Sequence, residues 1–316
     1  MEIMKFSIKL LPLVLLPLFS FGQGQVELFR PQLFLGLPSI RDVAISLDGE
    51  EMYFTIDDYK FRIGVIACVK KIGNKWSKPK VMAFSGNFRD IEPALSSDGK
   101  KLYFASNRPL DNNSAEPKDY DIWYVERKNL KSPWSVAKNL GSPVNSQDDE
   151  FYPSIAKNGN IYFTSGREGS KGKEDIFFSK LENGKYSEPI SIDGEANTEN
   201  YEFNAFVSPD EDFIIFTSIR KGEGSGRGDL YLSFKGTNNK WTKAKLLDSI
   251  NSSSLDYCPF LDIINHKLYF TSLRSTIQNY YPIKLSYSDI LRMYNKEPNG
   301  MSRLYQVDFN IDDFKN

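Results

Sequence analysis

Carboxylates dominate the residues that could do chemistry. An acid recurs at Asp90, Glu150, Glu202 and Asp256, with Asp42 as a shifted equivalent and Glu92 as an addition. Two carboxylates flanking a glycosidic bond can hydrolyse it without histidine. Asp42 and Glu92 with Glu150 or Glu202 are therefore the catalytic candidates, for a glycan-active hydrolase. The same acids could bind a cation, a basic ligand or a sugar, which makes Asp90, Glu150, Glu202 and Asp256 binding candidates. A structural role is equally open, because a repeated acid can satisfy backbone N–H groups, whereas catalytic residues ordinarily differ between repeats.

A second recurring group is Ser-x-Arg: Ser106/Arg108, Ser165/Arg167, Ser218/Arg220 and Ser272/Arg274. Asp121, Asp175 and Asp229 follow the first three. A guanidinium fork and a carboxylate suit a two-point pair, so Arg108–Asp121, Arg167–Asp175 and Arg220–Asp229 read as structural clamps. Arg274 has no such Asp, Arg303 standing in its place, and is the guanidinium expected to be free for an anionic ligand. Tyr280, Tyr281 and Tyr287 could stack on a sugar or simply pack an insertion.

Much chemistry is excluded. His266 is the single histidine and falls in a turn away from the acids. A Ser-His-Asp or Cys-His arrangement and a multi-histidine zinc site are ruled out. The glycines of 166–172 and 222–228 precede no Gly-Lys-Ser/Thr and open no helix, so they read as loops rather than a phosphate cradle. No cofactor or metal is indicated. Calcium is compatible with carboxylates near glycines, yet no loop has the spacing of a dedicated site.

The elements that position these residues repeat five times. The copies run Val43-Ala-Ile-Ser-Leu-Asp-Gly49, Pro93-Ala-Leu-Ser-Ser-Asp-Gly99, Pro153-Ser-Ile-Ala-Lys-Asn-Gly159, Ala205-Phe-Val-Ser-Pro-Asp210 and Pro259-Phe-Leu-Asp-Ile-Ile-Asn265. Each leads into an apolar run such as Leu102-Tyr-Phe-Ala105 or Leu268-Tyr-Phe-Thr271. Asp-Gly and Asn-Gly mark hairpins, since the turn needs positive φ. A third strand follows at Asp121-Ile-Trp-Tyr-Val125 and its equivalents. A fourth opens at an aromatic, as in Trp76-Ser-Lys-Pro79 and Tyr186-Ser-Glu-Pro189.

Four antiparallel strands repeated at this period predict an all-β fold, a β-propeller of five blades. The blades fall at about 39–90, 91–149, 150–200, 201–255 and 256–316. The last lacks a fourth strand, which the segment 25–36 supplies by alignment of Leu28-Phe-Arg-Pro31 with Trp76-Ser-Lys-Pro79. Closure of this kind removes an open sheet edge. Six blades would follow only if 275–300 hid a degenerate copy. That insertion contains a predicted short helix, Ser288–Tyr294.

The pattern "SxDGxxLYFxSxR … DIWxx … WSxPxxL" resembles the TolB-type WD-like propeller repeat over nearly the whole chain after its first two dozen residues. The resemblance implies a propeller and an exported setting. It says little of chemistry, because such repeats serve scaffolds, binding proteins and partners of catalytic domains.

The beginning of the chain agrees with export. Lys5 and Lys9 precede an apolar run, Leu10 to Phe21, with small residues at Ser20 and Gly22, so residues 1–22 read as a cleaved signal peptide. Residues 23–316 then form a single propeller domain, periplasmic or extracellular, with no membrane span. In that compartment Cys68 and Cys258 could form a disulfide or serve as two buried small hydrophobes. Net charge is −1 with no basic block, which argues against nucleic acid. The leading expectation is a monomeric, non-catalytic binding or scaffold propeller that engages an envelope protein or glycan through its loop-rich face.

Overall fold

The computed structural model describes residues 24–111 and 114–315. The segment read as a signal peptide lies outside the described residues. Five antiparallel sheets succeed one another as the blades of a propeller. Their innermost strands are Ser39–Ile45, Asp90–Leu95, Glu150–Ile155, Tyr201–Val207 and Asp256–Asp262. Second strands are Glu51–Asp57, Lys101–Ser106, Ile161–Ser165, Phe213–Ile219 and Lys267–Ser272. Third strands are Gly64–Ile72, Asp121–Glu126, Asp175–Ser179, Asp229–Phe234 and Arg303–Asp308.

Outermost strands are short: Lys80–Val81, Lys138–Asn139, Ile190–Ser191 and Lys245–Leu246, with Glu27–Leu28 completing the fifth blade. The N-terminal strand thus closes the ring, pairing Glu27 with Gln306 and Leu28 with Tyr305. Its register differs from the sequence alignment. Cys68 pairs with Lys80 and Ala67 with Val81 in the first blade, so Leu28 occupies the place of Val81 rather than Trp76. Trp76 belongs to a small hairpin that precedes the outer strand. The apolar pair Leu28-Phe29 matches Val81-Met82 in the only property the packing demands, and Phe29 is buried edge-on against Tyr269 at 5.1 Å.

Alternation along the second strands builds the core. Successive side chains leave opposite sheet faces, so Tyr53 packs toward the second blade with Phe104 and Trp123. Its neighbour Phe54 packs toward the fifth blade and the closing segment, with Phe29 and Leu304. Both faces of a blade are therefore apolar, which explains the unbroken runs such as Leu-Tyr-Phe. Gly49, Gly99 and Gly159 take φ of 68°, 64° and 90° in the hairpins that join innermost to second strands, as the turn signals require.

Residues 275–300 form no sixth blade. They carry a helix, Tyr287–Asn295, capped by Ser286, whose side chain accepts from Asp289 N–H while the Asp289 side chain accepts from Ser286 N–H. The cap lies two residues ahead of the predicted start because Ser286, not Ser288, has the acid three residues on. Cys68 and Cys258 are both free and buried. The first sits in a third strand and the second in an innermost strand of another blade.

Candidate functional site

Each recurring acid is the first or second residue of its innermost strand, opposite the serine of Ser-x-Arg: Asp90 pairs with Ser106, Glu202 with Ser218 and Asp256 with Ser272. The arginine then turns back onto the acid of its own blade. Arg108 meets Asp90 at 2.5 Å, Arg167 meets Glu150 at 2.5 Å, Arg220 meets Glu202 at 3.5 Å and Arg274 meets Asp256 at 3.3 Å. The same guanidinium donates to a carbonyl of the connection arriving from the preceding blade: Phe84, Val144, Ala196 and Ile250, respectively. Ser85, Ser146, Thr198 and Ser252 supply further donors to the acids.

This overturns two expectations. Arg108, Arg167 and Arg220 do not clamp Asp121, Asp175 and Asp229. Those aspartates sit across the strand and instead accept from their own loops: Asp121 from Lys118, Asp175 from Lys171 N–H and Gly172 N–H, Asp229 from Ser225 N–H. Nor is Arg274 free, since Asp256 and the Ile250 carbonyl hold it. Arg303 pairs with Glu297. The recurring acids thus weld the second to fifth blades to their entering connections. Burial pushes the Glu150 carboxyl up to about 7 despite Ser146 and Arg167.

Asp42 is not a shifted member of that series. Ile40 pairs with Ile56 where Asp90 pairs with Ser106, so Ile40 holds the acid's place. Asp42 corresponds to Glu92, two residues further on. At that point every innermost strand carries a bulge: the register slips between Arg41 and Val43, Ile91 and Ala94, Phe151 and Ser154, Phe203 and Phe206, and Tyr257 and Phe260. The residue inside the slip has positive φ each time: Asp42 55°, Glu92 62°, Tyr152 48°, Asn204 52° and Cys258 53°. None is glycine, so each is held in a left-handed conformation that its side chain disfavours. Bulges re-aim side chains, and these five converge on the axis.

Their contacts cross between blades. Arg41 Nε donates to Asp42 at 2.8 Å, and its Nη2 to Glu92 at 2.5 Å and Cys258 at 3.6 Å. Asn204 reaches Glu92 at 3.4 Å and accepts from Cys258 at 3.4 Å, while Tyr152 Oη donates to the Pro259 carbonyl at 2.9 Å. Threonines of the second strands hold the bulges. Thr55, Thr164 and Thr271 accept from the N–H groups of Glu92, Asn204 and Asp42 at 3.1, 3.0 and 3.1 Å. The second blade has Ala105 in this role, and the Tyr152 N–H turns to the Glu92 carboxylate at 2.7 Å. Burial pushes Glu92 up to about 7, against the pull of Arg41 and with the push of Asp42. Burial likewise raises the Cys258 thiol far above its ordinary range, which leaves it a poor nucleophile.

Asp42, Glu92 and Cys258 present ligand atoms within 4.8 Å of one another and are the metal-capable group among the described residues. The Arg41 guanidinium already supplies the positive charge between them. Above this floor lies a cavity of about 370 Å³ on the loop-rich face, with Arg41, Glu92 and Asn204 at its base. Its walls are mostly apolar: Ile91, Phe151, Phe203, Tyr257, Leu255 and Leu273, with Phe61, Arg89 and Glu174 also lining it. Four of the wall residues, Ile91, Phe151, Phe203 and Tyr257, stand immediately before the bulge, and Arg41 is the first blade's member of that series.

Tyr280 and Tyr287 are 75% and 76% exposed and Tyr281 lies in the same insertion, so none of the three joins the cavity wall. His266 sits in a turn with φ 50°, on the face opposite the cavity. Sequence reasoning missed Tyr152, Asn204 and Cys258. The signal was a column two residues after the acid, in which every copy differs.

No protein-family model matches the chain, and no curated protein sequence matches it. Solved structures do. The GH43 endo-arabinanase from Bacillus licheniformis is similar over 85% of this chain and 93% of its own, at 14% identity and a TM-score of 0.51. TolB from Acinetobacter baumannii and a putative TolB from Agrobacterium tumefaciens align over 85% and 81% of this chain, at 14% and 12% identity and TM-scores of 0.48 and 0.49. The chain spans about half (54%) of the Acinetobacter protein and 79% of the Agrobacterium one. At these identities the likeness speaks for the propeller fold alone.

Proposed function

We propose that this chain is an exported binding propeller of the TolB-type repeat, which receives part of an envelope protein or glycan in the mouth of its central channel and does not turn it over. One observation carries the reading: a cavity of about 370 Å³ has at its base Glu92 and Asn204, two members of the bulge series whose residues differ from blade to blade, beside Arg41. Apolar walls with a few convergent polar groups are the usual make-up of a binding pocket.

What favours binding over glycan hydrolysis is the state of the carboxylates. Glu150 and Glu202 are tied to Arg167 and Arg220 and to Ser146 and Thr198. Asp42 and Glu92 are bridged by a single guanidinium rather than flanking an open gap of about 5–9.5 Å, as a glycosidase pair does. The test combines a glycan and peptide binding screen with a hydrolysis assay on the intact protein and on Leu273→Trp, which narrows the mouth. Binding without product, lost in Leu273→Trp, is the expected result. Product that disappears in Glu92→Gln while binding persists would establish the hydrolase instead.

A further inference from the structure

The charges around the mouth do not balance. Arg41 is occupied by Asp42 and Glu92, with Asp57 3.9 Å away. Arg89 is occupied by Asp57 at 2.9 Å and by the Tyr120 hydroxyl at 3.1 Å. Asp57 Oδ2 is buried and accepts no hydrogen bond. Glu174 lines the cavity; its backbone carbonyl accepts from Glu202 N–H at 3.0 Å, while its carboxylate has no hydrogen-bond or ion-pair partner among the described residues. Burial and the neighbouring Asp149 both raise its carboxyl above the ordinary range. Asp42, Asp57, Glu92 and Glu174, when ionised, set four carboxylates against the two guanidinium groups of Arg41 and Arg89.

The other basic groups nearby do not correct this. Lys173 points its ammonium over the Tyr201 ring at 5.2 Å. Arg227 is exposed in a second depression that adjoins the mouth through Leu255 and Leu273. The walls meanwhile offer aromatic faces. Arg41 already lies 5.3 Å from the Tyr257 ring and Arg89 lies 5.7 Å from Phe61, while among the described residues no cation lies over Phe203 or over Phe151, whose ring meets that of Tyr120 at 4.9 Å.

Resting on the binding reading above, we infer that the mouth takes a cationic side chain, lysine or arginine, presented by a partner polypeptide. The cation would be held between the Glu174 carboxylate and the rings of Phe151 and Phe203. A carboxylate at the edge of an aromatic-walled, partly dry cavity is the environment in which a guanidinium or ammonium gains from both charge and ring faces. An anionic ligand would meet excess negative charge, and a neutral one would leave Glu174 unpaired.

The experiment titrates the peptide acetyl-Gly-Gly-Arg-Gly-Gly-amide and its citrulline counterpart into the methyl-labelled protein, following Ile91, Leu255 and Leu273. Butylguanidinium serves as the isolated cation. The arginine peptide should shift these methyls, with affinity at least tenfold above that of the citrulline peptide and of butylguanidinium. Glu174→Gln should weaken it about tenfold and Phe203→Leu several-fold, with both variants keeping the wild-type melting curve. Equal binding of the two peptides, or no effect of Glu174→Gln, would overturn the assignment. Butylguanidinium binding as tightly as the peptide would overturn the polypeptide source. A neutral or acidic ligand from the screen that shifts the same methyls would keep the mouth as the binding site while rejecting the cation. Methyls that respond to no ligand of either kind would reject both.

Discussion

Two rings of side chains lie two residues apart on the innermost strands and behave as opposites. Asp90, Glu150, Glu202 and Asp256 each meet an arginine of their own blade and a hydroxyl of the entering connection. Asp42, Glu92, Tyr152, Asn204 and Cys258 share a backbone conformation and little else. In the first ring the acids of the second to fifth blades solve the same local problem, fixing a blade to the connection before it, so the answer repeats. In the second ring the residues face one another across a common axis. There each is part of the others' environment, so the residue differs from blade to blade. Repetition in this molecule marks the frame, and variation at a fixed bulge marks the site.

The contrast can be broken first at the frame. Glu202→Ala leaves Arg220 buried without its carboxylate, and removing one partner of a buried pair costs about 3–5 kcal/mol. A urea titration should show a loss of that size, and a loss below about 1 kcal/mol would mean the clamp does not hold the blade.

At the axis the signature is pH dependence. Glu92 is raised from 4.5 to about 7 in the folded protein. A carboxyl that binds its proton more tightly when folded adds stability below its unfolded value, and this is lost as pH rises through the folded one. Wild-type stability should therefore fall between about pH 4.5 and 7, by on the order of 3 kcal/mol from Glu92 at most, with Glu150 adding to the slope. Glu92→Gln cannot titrate and should flatten that slope. An unchanged slope would place the titration elsewhere.

Smaller effects separate the threonines from the insertion. Thr164→Val removes the acceptor of the Asn204 N–H and should cost about 1–3 kcal/mol, the penalty of an unpaired buried group. Thr217→Val should cost far less, because its buried hydroxyl has no partner. Equal losses in the two thermal melts would remove the bulge-holding role of the threonines. Tyr287→Ser, on an exposed helix face, should stay within about 0.5 kcal/mol and leave ligand binding at the mouth intact.

Legibility followed locality. Asp98-Gly99 and Asn158-Gly159 announced hairpins because turn chemistry is settled within four residues, and three such signals with the two further copies at 205–210 and 259–265 were enough to count the blades. The closing strand was visible in Leu28-Phe29, though its register was not. Two apolar residues fit either place, and only pairing with Tyr305 and Gln306 decides between them. The arginine clamps were visible as residues and assigned to the wrong acid. Sequence places Asp121 and Asp90 at similar separations from Arg108, and only the pleat says which side of the strand the guanidinium leaves.

From the chain alone came the five repeats, the all-β wheel and its closure by the N-terminal segment, since hydrophobic alternation and turn residues act over short stretches. Tertiary structure alone decided that Asp42, Glu92, Tyr152, Asn204 and Cys258 form one constellation and that the recurring acids belong to the frame. Those assignments depend on a bulge that turns one side chain per blade toward the axis, and on contacts between residues more than fifty positions apart. Local pattern cannot encode such distances; the curvature of the closed ring creates them.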